Sequence, residues 1–166
     1  MSRSRDWRAL DLSPGHRSLL EASAGTGKTW TISVLYLRLL LEQGLTPRQI
    51  VVTTFTNPAA EELRERLRGR LLRAVMFADC RKPFTPKADA LDEQWLHARW
   101  QRSPETRNAD FRTLQVALAE LDMAPVSTLH GLCQRILSDY PFASGSLFNG
   151  GELISGATLL DELAKD

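Results

Sequence analysis

The run from Glu21 to Thr29 constrains this chain more than any other feature. Its letters, EASAGTGKT, fit the phosphate-binding pattern Gly/Ala-x-x-x-x-Gly-Lys-Ser/Thr, with Ala22 in the first place. The segment 18–22 before the loop predicts a short buried strand, and the apolar run 30–41 after it predicts a helix. Strand, glycine loop and helix in this order predict a nucleotide-binding α/β fold.

Each residue type in the loop suits a phosphate ligand. Gly25 and Gly27 let the backbone turn so that successive N–H groups face phosphate oxygens. The helix that follows adds the positive end of its dipole. We expect Lys28 to reach the β- and γ-phosphates and the Thr29 hydroxyl to bind Mg²⁺, which makes these two the predicted catalytic residues. The predicted nucleotide-binding residues are Ala22, Ser23, Ala24, Gly25, Thr26, Gly27, Lys28 and Thr29.

Composition narrows the class of protein further. The 166 residues suffice for one domain with a real core, or for part of a larger protein. The net charge is only +1, so a nucleic-acid partner would have to be held by local groups. Cys80 and Cys133 lack metal-ligand spacing and predict reduced thiols in a cytosol. The sequence shows no signal peptide and no membrane-length apolar run, so we expect a soluble cytoplasmic protein with no membrane partner.

A second strand–helix unit follows the first, whose helix is predicted to end near Gly44. The β-branched run at residues 50–55, IVVTTF, predicts a fully buried parallel strand. Asn57 is predicted to cap the next helix, with Pro58 at its first position. That helix is predicted to continue to about Ala78.

The sequence pattern changes after residue 78 and again after residue 124. Residues 79–124 predict two helices, 88–101 and 105–122, which form an inserted helical subdomain with Trp95 and Trp100 in its core rather than as base readers. A short strand at 126–128 and a helix at 130–140 then return to the first pattern. The predicted domain division is therefore a core of 1–78 and 125–142, an insertion of 79–124, and a loop with an incomplete tail at 143–166.

Two motifs beyond the phosphate loop resemble those of the UvrD/Rep class of superfamily 1 DNA helicases. Residues 55–66, FTNPAAEELRER, are similar to motif Ia, in which a strand ends in T-F-T-N and a helix begins A-A-x-E. Residues 126–137, VSTLHGLCQRIL, are similar to the motif that follows it. Within the class the RecB family, the beta subunits of exodeoxyribonuclease V, fits best. The phosphate loop of that family resembles residues 19–32, LLEASAGTGKTWTI, and its F-E-S-G-x-L-F segment resembles residues 142–148, FASGSLF.

The resemblance implies a fold and a function. The implied fold is a RecA-like α/β domain, a parallel sheet flanked by helices, partial here and carrying a helical insertion. The implied protein is a 3′→5′ DNA translocase and exonuclease that uses ATP and Mg²⁺ and acts with RecC-like and RecD-like subunits on double-strand breaks in repair and recombination. This chain would be its ATP-binding N-terminal piece, inactive as a helicase or nuclease by itself. Two alternatives remain open: a fragment of another UvrD- or AddA-like helicase, and a free-standing nucleotide-binding regulatory module.

The resemblance also implies a DNA track formed by Phe55, Thr56, Asn57, Thr128 and His130. An aromatic side chain at a strand end offers a stacking platform for any base. Hydroxyl, amide and backbone N–H groups at a helix N-terminus suit a phosphate. Structural roles remain open for three of these residues: Phe55 as core, Asn57 as a helix cap and His130 as a structural hydrogen-bond partner.

The charged residues of the second helix predict a solvated surface rather than a DNA-binding patch, because acidic residues alternate with the basic ones and Glu62 and Arg66 form a favourable i,i+4 pair. The arginines concerned are Arg64, Arg66, Arg68, Arg70 and Arg73.

Two features of the helicase class have no counterpart that the sequence supports. No glutamine occurs in residues 1–42, so adenine selectivity is not predicted. ATP hydrolysis needs an acid pair at the end of a hydrophobic strand. Two segments contain a similar acidic pair: LDEQ at residues 91–94 and LLDE at residues 159–162. Neither follows a hydrophobic strand, so we assign the hydrolytic acid pair to neither.

Overall fold

A computed structural model describes residues 2, 3, 6–20, 27–81 and 83–140. The chain divides into two compact units, Met1–Thr128 and Leu129–Asp166. The helices are α1 (Lys28–Glu42), α2 (Asn57–Ala78), α3 (Leu91–Arg102), α4 (Pro104–Ala119) and α5 (Leu129–Asp139). The strands are β1 (Ser2–Arg3), β2 (Ser18–Leu19), β3 (Val52–Thr54) and β4 (Val126–Thr128). Helices therefore dominate, and the sheet is small.

The strands form two parallel pairs. β1 pairs with β2, and β3 pairs with β4 in a register that joins Val52 to Val126 and Thr54 to Thr128. The parallel direction predicted for β3 is confirmed. Within the described residues the two pairs are separate, so the strand before the phosphate loop is not hydrogen-bonded to β3 or β4.

The predicted burial of two strands is wrong. Val51 is 53% exposed and Thr53 is exposed, although Ile50 is buried. In the described part of the first strand Leu19 is 40% exposed. The physical reason is that each strand has a single paired neighbour among the described residues, so alternate side chains face solvent instead of a second layer.

The core of the first unit is a packing of α1, α2 and α4. On α2 the buried apolar positions recur every three or four residues, which places them on one face of the helix. Facing them are leucines of α1 and α4. In these three helices the fully or almost fully buried leucines are Leu37, Leu40, Leu63, Leu67, Leu71 and Leu114.

The helices predicted for 79–124 exist as α3 and α4, each shorter than predicted, and they share this core. Leu96 and Trp100 of α3 are buried, which confirms Trp100 as a core residue, whereas Trp95 is half-buried. The buried carboxylate of Asp110 holds α3 against α4. It accepts hydrogen bonds from Trp100 Nε1 at 2.9 Å and from Arg99 Nε at 2.7 Å.

Both helix ends predicted around the second strand exist, one of them at a shifted residue. α1 ends at Glu42, and Gly44 follows with a φ of 65°, as expected of a glycine stop. α2 is capped by Thr56, not by Asn57, so that prediction is wrong by one residue. Thr56 has the extended backbone of a cap and its hydroxyl accepts the Ala59 N–H at 3.4 Å, whereas Asn57 is already helical.

Arg38 fixes the N-terminal segment to α1. Its buried guanidinium donates hydrogen bonds to the carbonyls of Trp7 and Leu10 and pairs with Glu42 at 2.7 Å. A charged side chain can be buried without a large loss of stability when its polar atoms have hydrogen-bond or ion-pair partners. The chain that leads into β2 and the phosphate loop is thereby held against the first helix.

The second unit contains α5, which begins one residue before the predicted helix and has no buried residue. The predicted loop and tail at 143–166 lie outside the described residues. Both cysteines are free and exposed. Among the helices that the structure describes, none combines the length and the apolar character needed to cross a membrane.

Candidate functional site

Gly27 marks the junction between the phosphate loop and α1. Its backbone has φ 84° and ψ 26°, a left-handed conformation that residues with a side chain rarely adopt. A Cβ at this position would lie 3.9 Å from Trp30 Cβ, which is an ordinary contact. The backbone angle, rather than lack of space, therefore requires glycine here. The Gly27 carbonyl accepts the Thr31 N–H at 2.8 Å, so α1 begins directly after the loop.

The first turn of α1 has the electrostatic character of an anion site. Lys28 is exposed, Thr29 is partly exposed, and the turn contains no acidic residue. The first amide groups of a helix have no acceptor within it and carry the positive end of the helix dipole. A lysine, a hydroxyl and these amides together suit a phosphate and its Mg²⁺. Of the predicted nucleotide-binding residues, those from 22 to 26 lie outside the described residues.

The predicted DNA-contacting residues of the first unit converge on one edge. Because β3 and β4 are parallel and Thr54 pairs with Thr128, both strands end at the same side of the sheet. Phe55 follows Thr54 immediately and is 96% exposed, so it is not part of the described core. Thr54 Oγ1 donates to the Thr56 carbonyl at 2.9 Å and holds the turn into α2.

This edge offers two kinds of contact to a nucleic-acid strand. The exposed ring of Phe55 is available for stacking, which any base can satisfy. The N-terminus of α2, with exposed Thr56 and Asn57, offers polar groups and the helix dipole to a phosphate. Asn57 does not serve as the helix cap, so that structural alternative is removed.

His130 belongs to the second unit. It lies in the first turn of α5, its ring is exposed, and its side chain has no hydrogen-bond partner among the described residues. The structural hydrogen bond that the sequence left open for it is absent from that part of the chain. Its contact with DNA stays a prediction.

The acidic residues of the segment 91–94 have structural roles. They open α3 rather than end a strand, which agrees with leaving them unassigned as the hydrolytic pair. Asp92 is buried in an ion pair with Arg70, and Glu93 Oε2 accepts the Lys87 N–H at 3.0 Å. The described residues contain no cluster of three His, Cys, Asp or Glu side chains that could hold a metal. The second segment with a similar acidic pair, 159–162, lies outside them.

Arg70 corrects the prediction of a uniformly solvated arginine surface. It is only 5% exposed, it pairs with Asp92, and its Nε donates to Ser33 Oγ at 3.3 Å. Its guanidinium also lies 5.4 Å from the centre of the Trp30 ring. Burial first, and repulsion by Arg73 second, lower its pKa to about 10, while Glu93 opposes the shift. Position 70 falls on the buried stripe of α2, a register that the leucine spacing alone could have revealed.

The other arginines of α2 divide into two kinds. Arg66 pairs with Glu62 at 2.7 Å in solvent, as predicted. Arg64, in contrast, is half-buried and its Nη2 donates to the Val126 carbonyl at 2.7 Å. This bond ties α2 to β4, the strand that ends at Thr128, and the sequence did not predict it because the partners are 62 residues apart.

Comparison with known proteins agrees with these motifs. The family model of the UvrD/REP helicase N-terminal domain matches residues 3–165. The RecBCD enzyme subunit RecB of Haemophilus influenzae is 37% identical over an alignment of 153 residues that covers 80% of this chain and 11% of that protein. The Escherichia coli RecB subunit is 38% identical over an alignment of 154 residues that covers 86% of this chain and 12% of that subunit. The RecB subunit of Mycolicibacterium smegmatis is 34% identical over an alignment of 151 residues that covers 90% of this chain and 12% of that subunit.

This chain therefore spans only 11–12% of the length of these RecB relatives. The family match, however, extends over almost all of it. The chain, with its RecB homologues, belongs to the UvrD/REP helicase N-terminal domain family.

Proposed function

We propose that this chain is the ATP-binding and DNA-contacting part of a RecB-like, ATP-dependent DNA helicase and exonuclease subunit that acts in double-strand break repair and recombination. One observation carries the proposal. The left-handed Gly27 places Lys28 and Thr29 at the start of a helix with no acidic residue in its first turn, in a chain of the helicase family.

In this proposal the phosphates of ATP bind to the backbone amides of residues 22–29. Lys28 neutralises the β- and γ-phosphates, and Thr29 supplies a hydroxyl ligand to Mg²⁺. The bound nucleotide supplies the free energy of hydrolysis for movement along DNA. The surrounding fold is proposed to be a partial RecA-like core of residues 1–78 and 125–142, with a helical insertion at 79–124 and a tail at 143–166.

The DNA part of the proposal rests on the edge where β3 and β4 end. Phe55 stacks on a base, and Thr56, Asn57 and Thr128 contact the backbone. His130, in the second unit, is proposed as a further contact with DNA. RecC-like and RecD-like subunits are the proposed partners of the whole protein, and the cytoplasm its location.

Two binding assays on this chain test the proposal. The first is titration with a fluorescent ATP analogue and Mg²⁺, and the second is fluorescence anisotropy of a labelled single-stranded oligothymidylate. We expect Lys28→Ala to weaken ATP binding at least about tenfold and to leave DNA binding unchanged, because a charge-assisted phosphate contact is lost. We expect Phe55→Ala to weaken DNA binding by about tenfold, as loss of one stacked base predicts, and to leave ATP binding unchanged. Met76→Ala is the matched control, since Met76 is another exposed apolar side chain, 65% accessible.

The outcomes separate the candidate functions. Failure of the chain to bind the ATP analogue would refute the nucleotide part of the proposal. ATP binding without DNA binding would favour a nucleotide-binding regulatory module. We also expect no DNA unwinding above the level of the Lys28→Ala variant, because the hydrolytic acid pair is assigned to no residue of this sequence. Unwinding clearly above that control would contradict the proposed inactivity of the chain by itself.

A further inference from the structure

A basic cavity of about 390 Å³ opens between the start of α1 and the middle of α2. Its lining consists of Trp30, Ser33, Arg66, Gly69, Arg70 and Arg73. Half of these residues are arginines, and none is acidic. Neither Lys28 nor Thr29 lines it, so it is not the phosphate-loop surface described above.

The spacing of its lining on α2 puts the charges on one side of that helix. Residues 66 and 69, 70 and 73 are three apart, and 66 and 70, 69 and 73 are four apart, so these positions share one face of the helix. The two exposed members, Arg66 and Arg73, present two guanidinium groups to a single ligand, whereas Arg70 is buried. Guanidinium groups bind phosphate oxygens through paired N–H donors.

Gly69 lines the cavity, and no steric or backbone reason in the described structure requires a glycine there. A Cβ at this position would meet no atom within 4 Å, and the backbone φ is not positive. Glycine inside a helix costs about 1 kcal/mol relative to alanine. Because Gly69 has no side chain, the space between Arg66 and Arg73 stays open.

The three arginines differ in how they are held. Arg70 is buried between Asp92, Ser33 and the Trp30 ring, and is fixed in place. Arg66 is exposed and paired with Glu62. Arg73 is exposed and has no ion pair within the described residues. Asp92 neutralises Arg70, and Glu62 shares the exposed Arg66, so the excess positive charge at the cavity comes from Arg73. An anion bound beside Arg66 and Arg73 would relieve it.

We propose that this cavity is an anion site that binds a phosphate group through Arg66 and Arg73, with Gly69 and Trp30 in its lining. The ligand is a phosphate monoester, a diphosphate or a diester of a nucleic-acid backbone, since all three present the same oxygens to the arginines. The site is additional to the proposed ATP and Phe55 contacts and does not depend on either.

The test uses this chain carrying Lys28→Ala, so that the phosphate-loop lysine contributes nothing. Inorganic pyrophosphate and a short oligothymidylate are titrated separately by calorimetry. The double variant Arg66→Ser with Arg73→Ser is compared with Arg102→Ser with Arg112→Ser, which removes the same charge from exposed arginines elsewhere. We expect the first pair to lose about tenfold or more in affinity, and the second pair to lose less than about twofold.

Gly69→Gln provides a second test, in which the expected loss of affinity cannot be attributed to misfolding. Glutamine favours a helix more than glycine does, so the midpoint of thermal unfolding is expected to stay the same or rise. The longer side chain fills part of the cavity, and affinity is expected to fall about tenfold. Gly69→Ala is the matched control, expected to stabilise the chain and to retain most of the affinity.

The two ligands distinguish the source of the phosphate. Loss of affinity for both probes in the Arg66 and Arg73 variant supports a general phosphate site, and loss for the oligothymidylate alone supports a backbone phosphate. Equal affinities in the two double variants for both probes would overturn the proposal, as would full affinity in Gly69→Gln. Because Phe55→Ala and Lys28→Ala are read separately, failure here leaves the proposed function standing.

Discussion

Tyr36 of α1 is buried, and its hydroxyl has no hydrogen-bond partner among the described residues. A buried hydroxyl without a partner loses its hydration and gains nothing in return, a cost of about 1–3 kcal/mol. The same burial raises the pKa of Tyr36 to about 12. Both observations concern the hydroxyl oxygen of Tyr36, which the substitution Tyr36→Phe removes.

We expect Tyr36→Phe to raise the free energy of unfolding at neutral pH by about 1 kcal/mol, because it removes only that oxygen. Above pH 10 the unfolded tyrosine ionises, whereas the folded one stays neutral until about 12. The original chain therefore loses stability relative to the variant as pH rises through this window. Urea unfolding of both proteins at neutral pH and above pH 10 measures this. Lower stability of Tyr36→Phe at neutral pH would show that the hydroxyl has a favourable partner.

At the scale of elements, the cap of α2 decides where the exposed edge that follows β3 ends and the helix begins. Thr56 accepts the Ala59 amide, and Asn57 is the first helical residue. We expect Thr56→Ala to lower the free energy of unfolding by about 1 kcal/mol, as loss of an N-cap does. Asn57→Ala should change it by less than about 0.5 kcal/mol, since the residue is exposed and makes no cap.

Chemical denaturation of the two variants side by side measures this difference. The opposite order of stabilities would restore Asn57 as the cap. If the expected order holds, a loss of DNA affinity in Asn57→Ala reports a lost contact and not a frayed helix. The stability measurement thus makes the binding measurement interpretable.

At the scale of the whole first unit, the Arg70–Asp92 pair joins α3 to the packing of α1 and α2. Arg70 also contacts Ser33 and Trp30 of α1, so one guanidinium links three helices. Removing one partner of a buried pair leaves the other charge without compensation, which costs about 3–5 kcal/mol. The structural role of Asp92 therefore extends across the unit.

We expect Asp92→Ala to destabilise the chain by about 3 kcal/mol. The double variant Arg70→Met with Asp92→Leu should lose less than Asp92→Ala alone, because it leaves no unpaired charge. A double-mutant cycle of unfolding free energies gives the coupling directly. A loss below about 1 kcal/mol in Asp92→Ala would mean that solvent or another group replaces the carboxylate.

Local features of the sequence predicted the helices well. The leucine spacing of α2, the glycine stop after α1 and the pattern ending in Gly27-Lys28-Thr29 all act within one or two helical turns, where steric limits and i,i+4 contacts dominate. For the same reason the amino-acid sequence alone sufficed to name the residues of the candidate site. The roles of its members remain predictions until binding is measured.

The sequence by itself determined the helical segments, the left-handed glycine at the loop and the helicase family. Only the tertiary structure decided which polar groups meet and which strand faces are covered. It buried Arg70 against Asp92, 22 residues away, joined Arg64 to Val126, and left Phe55 exposed. The physical reason is that helix formation and glycine backbone angles depend on neighbours in the chain. Charge pairing and the covering of strand faces depend on distant segments, whose approach no local pattern encodes.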